Sequence, residues 1–237
     1  MKDKTKYFCA LTIAGSDNSG GAGIQADLKT FSALGCYGMS VITALTAQNT
    51  KGVRGIYEID PEFVKEQIYT ILEDIGVGSI KIGMLFNIPV IEVVAKCLKE
   101  IEGCSVVLDP VMFAKSGDRL LNEDAVQTIK NELFPLVTVV TPNLLEAEAL
   151  LGRSIKSAET MQQAAVDLCK LGPKAVVVKG GGLSNSNSDD CLVIEGGSPQ
   201  WLKQDRIITQ NNHGTGCTFS SAVTAFLARS FNLEDAI

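Results

Sequence analysis

Short aliphatic and β-branched runs alternate with amphipathic stretches almost from end to end of the chain, the pattern of a parallel sheet covered by helices on both faces. Five runs predict buried strands: residues 8–14, 79–82, 105–108, 137–140 and 175–178. Residues 41–47 and 53–59 predict two more, joined by Asn49-Thr50-Lys51-Gly52. Between the strands, Asp60-Pro61 supplies a helix cap and first-turn proline, and Val64, Ile68, Ile71, Leu72 and Ile75 then recur on one face. Ile91, Val94, Ala95 and Leu98 share a second such face. Met161, Ala164, Ala165, Leu168 and Leu171 share a third, closed by Gly172-Pro173. Residues 180–190, rich in Gly, Ser and Asn, read as an exposed loop between two strands, with Asp189-Asp190 as solvated charges.

The segments at the carboxyl ends of the five strands are more informative than the strands themselves. The first strand runs into Ala14-Gly15-Ser16-Asp17, the next into Gly83-Met84, and the third into Asp109-Pro110. The fourth runs into Thr141-Pro142-Asn143 and the fifth into Lys179-Gly180-Gly181-Gly182. In a parallel α/β sheet these carboxyl ends line one edge, where such folds bind ligands, so glycines, carboxylates, an amide and a lysine converge there.

Composition narrows the classes of function. The 237 residues include 21 Lys and Arg against 27 Asp and Glu, a net charge of −6, which leaves nothing to counter a polyphosphate backbone and argues against nucleic-acid binding. A single histidine excludes a metal site built mainly from imidazoles. At 46% hydrophobic and 20% charged the chain is too apolar for disorder, and one domain over residues 1–237 is expected. Its seven cysteines are scattered with no CxxC pair, which is neither a disulfide nor a zinc framework. No apolar run approaches the roughly 18 residues of a membrane span, and the first apolar stretch reads as a strand rather than a secretory signal. A cytoplasmic protein without a membrane partner is expected.

Two glycine-rich turns open helices. Asp17 to Gly23, D-N-S-G-G-A-G, precedes the face Ile24, Leu28, Phe31 and Leu34. Gly21 to Ala26 fits G-x-G-x-x-A, but a dinucleotide site needs an acidic ribose partner roughly 20 residues on, where the chain has Thr46-Ala47-Gln48-Asn49. Close backbone approach to a small ligand, with Asp27 one turn into the helix, is the alternative to a turn kept for packing. The second turn, Asn212-His213-Gly214-Thr215-Gly216-Cys217, exposes free N–H groups at a helix start and suits a developing phosphate charge. Cys217 in that first turn is either a small packing residue or a thiol acidified by the helix terminus, able to take a proton from a hydroxyl. His213 precedes the free N–H groups and reads as a hydrogen-bond partner, not a base. Asp109 and Glu146 at neighbouring strand ends suit magnesium held largely through water, although Asn143 with Glu146 is equally a capping box. Lys179 is placed for nucleotide phosphates or is a surface lysine. Lys115-Ser116-Gly117-Asp118 is a candidate flap or an ordinary turn.

These segments in order, with Thr46-Ala47-Gln48-Asn49-Thr50, Lys81-Ile82-Gly83-Met84, Leu108-Asp109-Pro110-Val111-Met112, Val178-Lys179-Gly180-Gly181 and His213-Gly214-Thr215-Gly216-Cys217, resemble hydroxymethylpyrimidine/phosphomethylpyrimidine kinases, the thiamine-pathway branch of the ribokinase superfamily. The resemblance spans essentially the whole chain. It implies an α/β fold of three αβα layers around a mostly parallel sheet, and MgATP-dependent phosphorylation of 4-amino-5-hydroxymethyl-2-methylpyrimidine and then of its monophosphate. It also implies a homodimer. By the same resemblance Gln48, Gly15, Asp27 and Met84 line the pyrimidine pocket, and Gly214, Thr215, Gly216 and Cys217 form the anion hole and base. Asp109 and Glu146 serve Mg2+, while Lys179, Asn143 and Lys115 lie on the ATP side. Pyridoxal or pyridoxine kinase is the alternative acceptor class, and the pyridoxal-type relatives resembling this chain lack Gln48 and Lys179. A catalytically silent small-molecule binder is the non-enzyme alternative. The chain stops at Asn232-Leu233-Glu234-Asp235-Ala236-Ile237, at what reads as the start of another helix, where the resembling family usually has one more.

Overall fold

A computed structural model describes residues 7–113, 121, 123–183 and 187–237. Lys115 and the candidate flap around it lie outside the described residues. The frame is one nine-stranded sheet in the order β3-β2-β1-β4-β5-β6-β7-β8-β9. Its centre is parallel: β1 (Cys9–Asp17), β2 (Tyr37–Asn49), β4 (Ser79–Ile82), β5 (Ser105–Leu108), β6 (Val139–Val140) and β7 (Ala175–Val178). The edges are antiparallel: β3 (Gly52–Glu58) pairs with β2, while β8 (Asp190–Ile194) and β9 (Gln200–Leu202) extend from β7.

Alternate residues of each central strand point into different layers, so both faces are buried and most positions are apolar, with Thr12 and Lys81 among the buried exceptions. Leu11, Ile13, Val106, Leu108, Val176 and Val178 pack with α2 (Pro61–Asp74), α3 (Ile88–Lys99), α5 (Leu144–Leu151) and α6 (Ala158–Cys169). Val107, Val139, Ala175 and Val177 face the other way, against Val223 of α7 (Thr215–Ala228). Ala10 meets Phe31 of α1 (Gly23–Ala33) and Ala225 of α7. The result is the three-layer αβα arrangement. α4 (Glu123–Thr128) continues through a π-helical turn at Ile129–Leu133 into Phe134–Leu136, and α8 (Leu233–Ala236) packs on α7.

Local chemistry sets the element ends. The Asp60 carboxylate accepts from Glu62 N (2.9 Å) ahead of Pro61, and Asn87 Oδ1 accepts from Val90 N (3.0 Å) to cap α3. A change of register between Ala14 and Ser16 carries β1 three residues past the expected end. The stretch after β7 is not simply an exposed loop. Gly180 is buried because Asp190 Oδ1 accepts its N–H (2.8 Å), and a side chain there would strike the Asp189 carbonyl. Asp189 in turn accepts from Gln204 N (3.1 Å), so both carboxylates hold turns instead of merely facing solvent. No helix among the described residues is long and apolar enough to cross a membrane.

Candidate active site

The carboxyl ends of the parallel strands and the turn before α7 enclose a cavity of about 360 Å³. β1 contributes Gly15, β2 contributes Gln48, and the segment after β4 contributes Met84. Asp109 and Lys179 come directly after β5 and β7, and Asn143 three residues after β6. Gly15 sits at the β1 irregularity, and a Cβ there would come within 2.5 Å of Met84 Cε, so its missing side chain lets the methionine close the wall. Thr43 Oγ1 fixes this segment by donating to Met84 O (2.6 Å). Gln48 lies where the β2–β3 register shifts, and its N–H donates to Asn18 Oδ1 (2.7 Å). Its side-chain amide makes no hydrogen bond among the described residues and is free for a ligand.

Asp27 does not line this cavity. Its carboxylate is wholly buried beneath the floor, where it accepts from Lys81 Nζ at both oxygens (2.9 Å each), from Thr12 Oγ1 (2.6 Å) and from Ser221 Oγ (2.6 Å). One turn into α1 faces the sheet and α7, not the ligand edge. The floor residue is Lys81, which sequence reasoning missed as a functional group. The available signal was a lysine inside Ser-Ile-Lys-Ile, a strand with no exposed face. Burial disfavours its ammonium, but the Asp27 carboxylate more than offsets this and keeps Lys81 protonated.

On the opposite wall Lys179 Nζ donates to Asp109 Oδ1 (3.0 Å), and Thr141 Oγ1 and Ser220 Oγ reach the same carboxylate (3.4 Å each). Burial opposes the charge of Asp109, yet Lys179 and Lys81 hold its carboxyl below the usual range. With a side chain only 16% exposed, Lys179 is a wall residue and not a surface lysine. Asn143 and Glu146 form the capping box of α5: Glu146 Oε2 accepts from Asn143 N (2.8 Å) and Asn143 Oδ1 from Glu146 N (3.0 Å). Both also border the cavity. Burial, and then the charge of Asp109, pushes the Glu146 carboxyl up to about 7.

Gly214 opens α7 at φ 82°, and a side chain there would strike the Gly21 carbonyl. A Cβ on Gly216 would lie 3.1 Å from Lys179 Nζ and 3.8 Å from Asp109 Oδ2, so the Lys179 ammonium lies against the first turn of α7, where a helix start leaves N–H groups without intrahelical partners. Cys217 faces the cavity beside them. The acidification expected from the helix terminus is not found. Burial pushes the thiol up to about 11, and Lys81 and the Gly23 N–H only partly oppose it. His213 is a hydrogen-bond partner: its Nε2 meets Asp17 Oδ2 at 2.8 Å.

Among the described residues no three His, Cys, Asp or Glu side chains are grouped to hold a metal. Two carboxylates, Asp109 and Glu146, do border the cavity, and Mg2+ is usually held by one or two carboxylates together with phosphates and water. The donor set therefore fits a magnesium ion that arrives with a nucleotide.

The sequence profile of the phosphomethylpyrimidine kinase family matches residues 17–237. The hydroxymethylpyrimidine/phosphomethylpyrimidine kinase of Escherichia coli strain K12 is 49% identical over 233 residues, covering 98% of this chain and 87% of that protein. The thiamine biosynthesis bifunctional protein ThiED of Geobacter sulfurreducens is 49% identical over 96% of this chain, which spans only 46% of that longer protein. Among solved structures, the phosphomethylpyrimidine kinase of Clostridium difficile 630 superimposes with a TM-score of 0.84 at 42% identity, covering 98% of this chain and 94% of that one. A pyridoxal kinase of Bacillus subtilis in complex with ADP superimposes at 0.88 with 40% identity, covering 98% and 88%. With this fold, this site and these relatives, the chain belongs to the phosphomethylpyrimidine kinase family and is an ATP-dependent kinase of thiamine biosynthesis.

Proposed function

We propose that the protein phosphorylates the hydroxymethyl group of 4-amino-5-hydroxymethyl-2-methylpyrimidine from MgATP, and then its monophosphate to the diphosphate. The observation that carries this is the free amide of Gln48 facing the same cavity as Cys217 and the first turn of α7. An amide offers a donor and an acceptor side by side, as a ring nitrogen next to an amino group requires. Gln48, Gly15 and Met84 hold the pyrimidine. Asp27 contributes through Lys81, not by contact.

In this reading the acceptor hydroxyl points at Cys217, and the transferring phosphoryl group meets the N–H groups of Gly214, Thr215, Gly216 and Cys217. Lys179 and Asn143 lie on the nucleotide side, with Lys115 assigned there by resemblance alone. Phosphoryl transfer passes through a loose transition state in which positioning and charge stabilisation supply most of the rate. The acceptor proton then leaves late, to the Cys217 thiolate, which becomes the thiol; a strongly basic thiolate suits that step, and Lys81 is the positive charge that favours the ionised form against burial. Asp109 and Glu146 would hold Mg2+, which neutralises phosphate charge when bound.

One sheet through all nine strands of the described residues supports residues 1–237 as one kinase domain. Family resemblance adds a homodimer in the cytoplasm, which sedimentation and fractionation would test. Steady-state assays with MgATP and either the pyrimidine alcohol or pyridoxal test the acceptor. Faster turnover of pyridoxal would select that class instead, and turnover of neither would sink the kinase assignment of the site.

A further inference from the structure

The Asp17 carboxylate is wholly buried and gathers five hydrogen bonds. Oδ1 accepts from Ser19 N (2.8 Å) and Ser19 Oγ (2.7 Å). Oδ2 accepts from Gly21 N (3.1 Å) and Ala22 N (2.8 Å). Those four donors belong to the turn after β1. The fifth, His213 Nε2 at 2.8 Å on Oδ2, comes from the turn that opens α7. An oxygen already facing two N–H groups needs a donor there, so Nε2 carries the proton. The two turns also interlock through their glycines. A side chain on Gly21 would strike the His213 ring, and one on Gly214 would strike the Gly21 carbonyl. Asn18, next to Asp17, holds the backbone of Gln48. One short turn therefore grips the residue that reads the acceptor and the turn that receives the phosphoryl group.

We infer that His213 is a positioning residue for transfer: through its bond to Asp17 it fixes the N–H groups of Gly214–Cys217 in register with the acceptor held at Gln48. Burial works against the charge of Asp17, but the Ser19 and His213 hydrogen bonds hold its carboxyl below the usual range, so the acceptor of this bond is ionised at neutral pH. The inference rests on the proposed kinase function. It assigns His213 no proton transfer, because its bonded nitrogen faces Asp17 and not the cavity.

The test is a series at one position, His213→Gln, His213→Asn and His213→Ala, assayed with the pyrimidine alcohol and MgATP beside thermal melting. A glutamine amide reaches the place of Nε2, whereas an asparagine amide reaches only that of Nδ1. Misplacement by about 1 Å costs about 100-fold in rate, so His213→Ala and His213→Asn are expected to lower kcat by roughly 30- to 100-fold, with the pyrimidine KM within about threefold of wild type. His213→Gln is expected to recover to within about fivefold. Should the alanine variant fail to fold, the Gln and Asn pair carries the comparison. A kcat unchanged in all three variants, or Gln as poor as Ala, or a loss confined to KM, overturns the inference while leaving the kinase reading intact. A wild-type enzyme that turns over neither alcohol overturns that reading and this inference with it.

Discussion

Lys81 Nζ lies 2.9 Å from both oxygens of Asp27, and neither side chain reaches solvent. The pair joins β4 to α1, and through Thr12 and Ser221 it also ties in β1 and α7 beneath the cavity floor. Removing one partner of a buried pair strands a charge, at a cost of about 3–5 kcal/mol. Lys81→Met is therefore expected to lower the urea-unfolding free energy by that order, and Lys81→Met with Asp27→Asn to recover part of it. A loss below about 1 kcal/mol in the single variant would show that solvent reaches the pair.

Cys217 is expected to govern turnover and not binding. Cys217→Ala should lower kcat by roughly 100-fold, the usual weight of a general base, with pyrimidine affinity nearly intact. Since burial pushes the thiol up to about 11, the thiolate fraction rises tenfold per pH unit below that value, and kcat/KM should climb between about pH 7 and 10. Cys217→Asp, whose carboxyl is far more acidic than a thiol, should flatten the climb. Unchanged turnover in the alanine variant would return Cys217 to a packing role.

Ser105–Leu108 and Ala175–Val178 were legible in the sequence to the residue because both their faces are buried, which makes each a short, almost wholly apolar run; Ser79–Ile82 was legible from its two isoleucines despite the buried Lys81 between them. β1 was not, because Gly15 and Ser16 look like a turn while the chain continues through an irregularity in register. β9 is partly exposed and only three residues long, too short for a period to show. Of the site, the residues at strand ends were legible, because a parallel sheet puts strand ends together whatever the packing. Asp27 was misplaced because its partner Lys81 is 54 residues away, a distance that no local spacing encodes. The sign of the Cys217 shift was missed for the same reason: a helix terminus is visible in sequence, but the burial that outweighs it comes from tertiary packing.

Gln48 is expected to act on acceptor binding alone. Its amide makes no bond among the described residues, so Gln48→Ala breaks nothing in the free protein and leaves the bound pyrimidine with unpaired polar edges. At about 1–3 kcal/mol for such a loss, calorimetry should show pyrimidine affinity weaker by about 10- to 100-fold, with the KM for ATP unchanged. Asn18→Ala, which releases the Gln48 backbone, should give a smaller effect of the same kind. An unaltered affinity for the pyrimidine in Gln48→Ala would remove that residue from the pocket.

Glu146 should make both stability and its response to magnesium depend on pH. Its carboxyl rises from the ordinary 4.5 to about 7 in the folded protein, so between those values the folded state binds the proton more tightly than the unfolded one. The stability it contributes is full below about pH 4.5 and is lost as pH rises through 7, a slope that Glu146→Gln should remove. Asp109, held below the usual range by Lys179 and Lys81 against the pull of burial, does not titrate in this window. A bound cation favours the ionised carboxylate, so Mg2+ with a non-hydrolysable ATP analogue should raise the melting temperature more at pH 8 than at pH 5.5. The difference between the two pH values should shrink in Glu146→Gln. Equal magnesium responses in the wild type and this variant would place Glu146 beyond the metal's reach and leave it a structural role, bonded to the backbone of Asn143 at the start of α5 and of Met112.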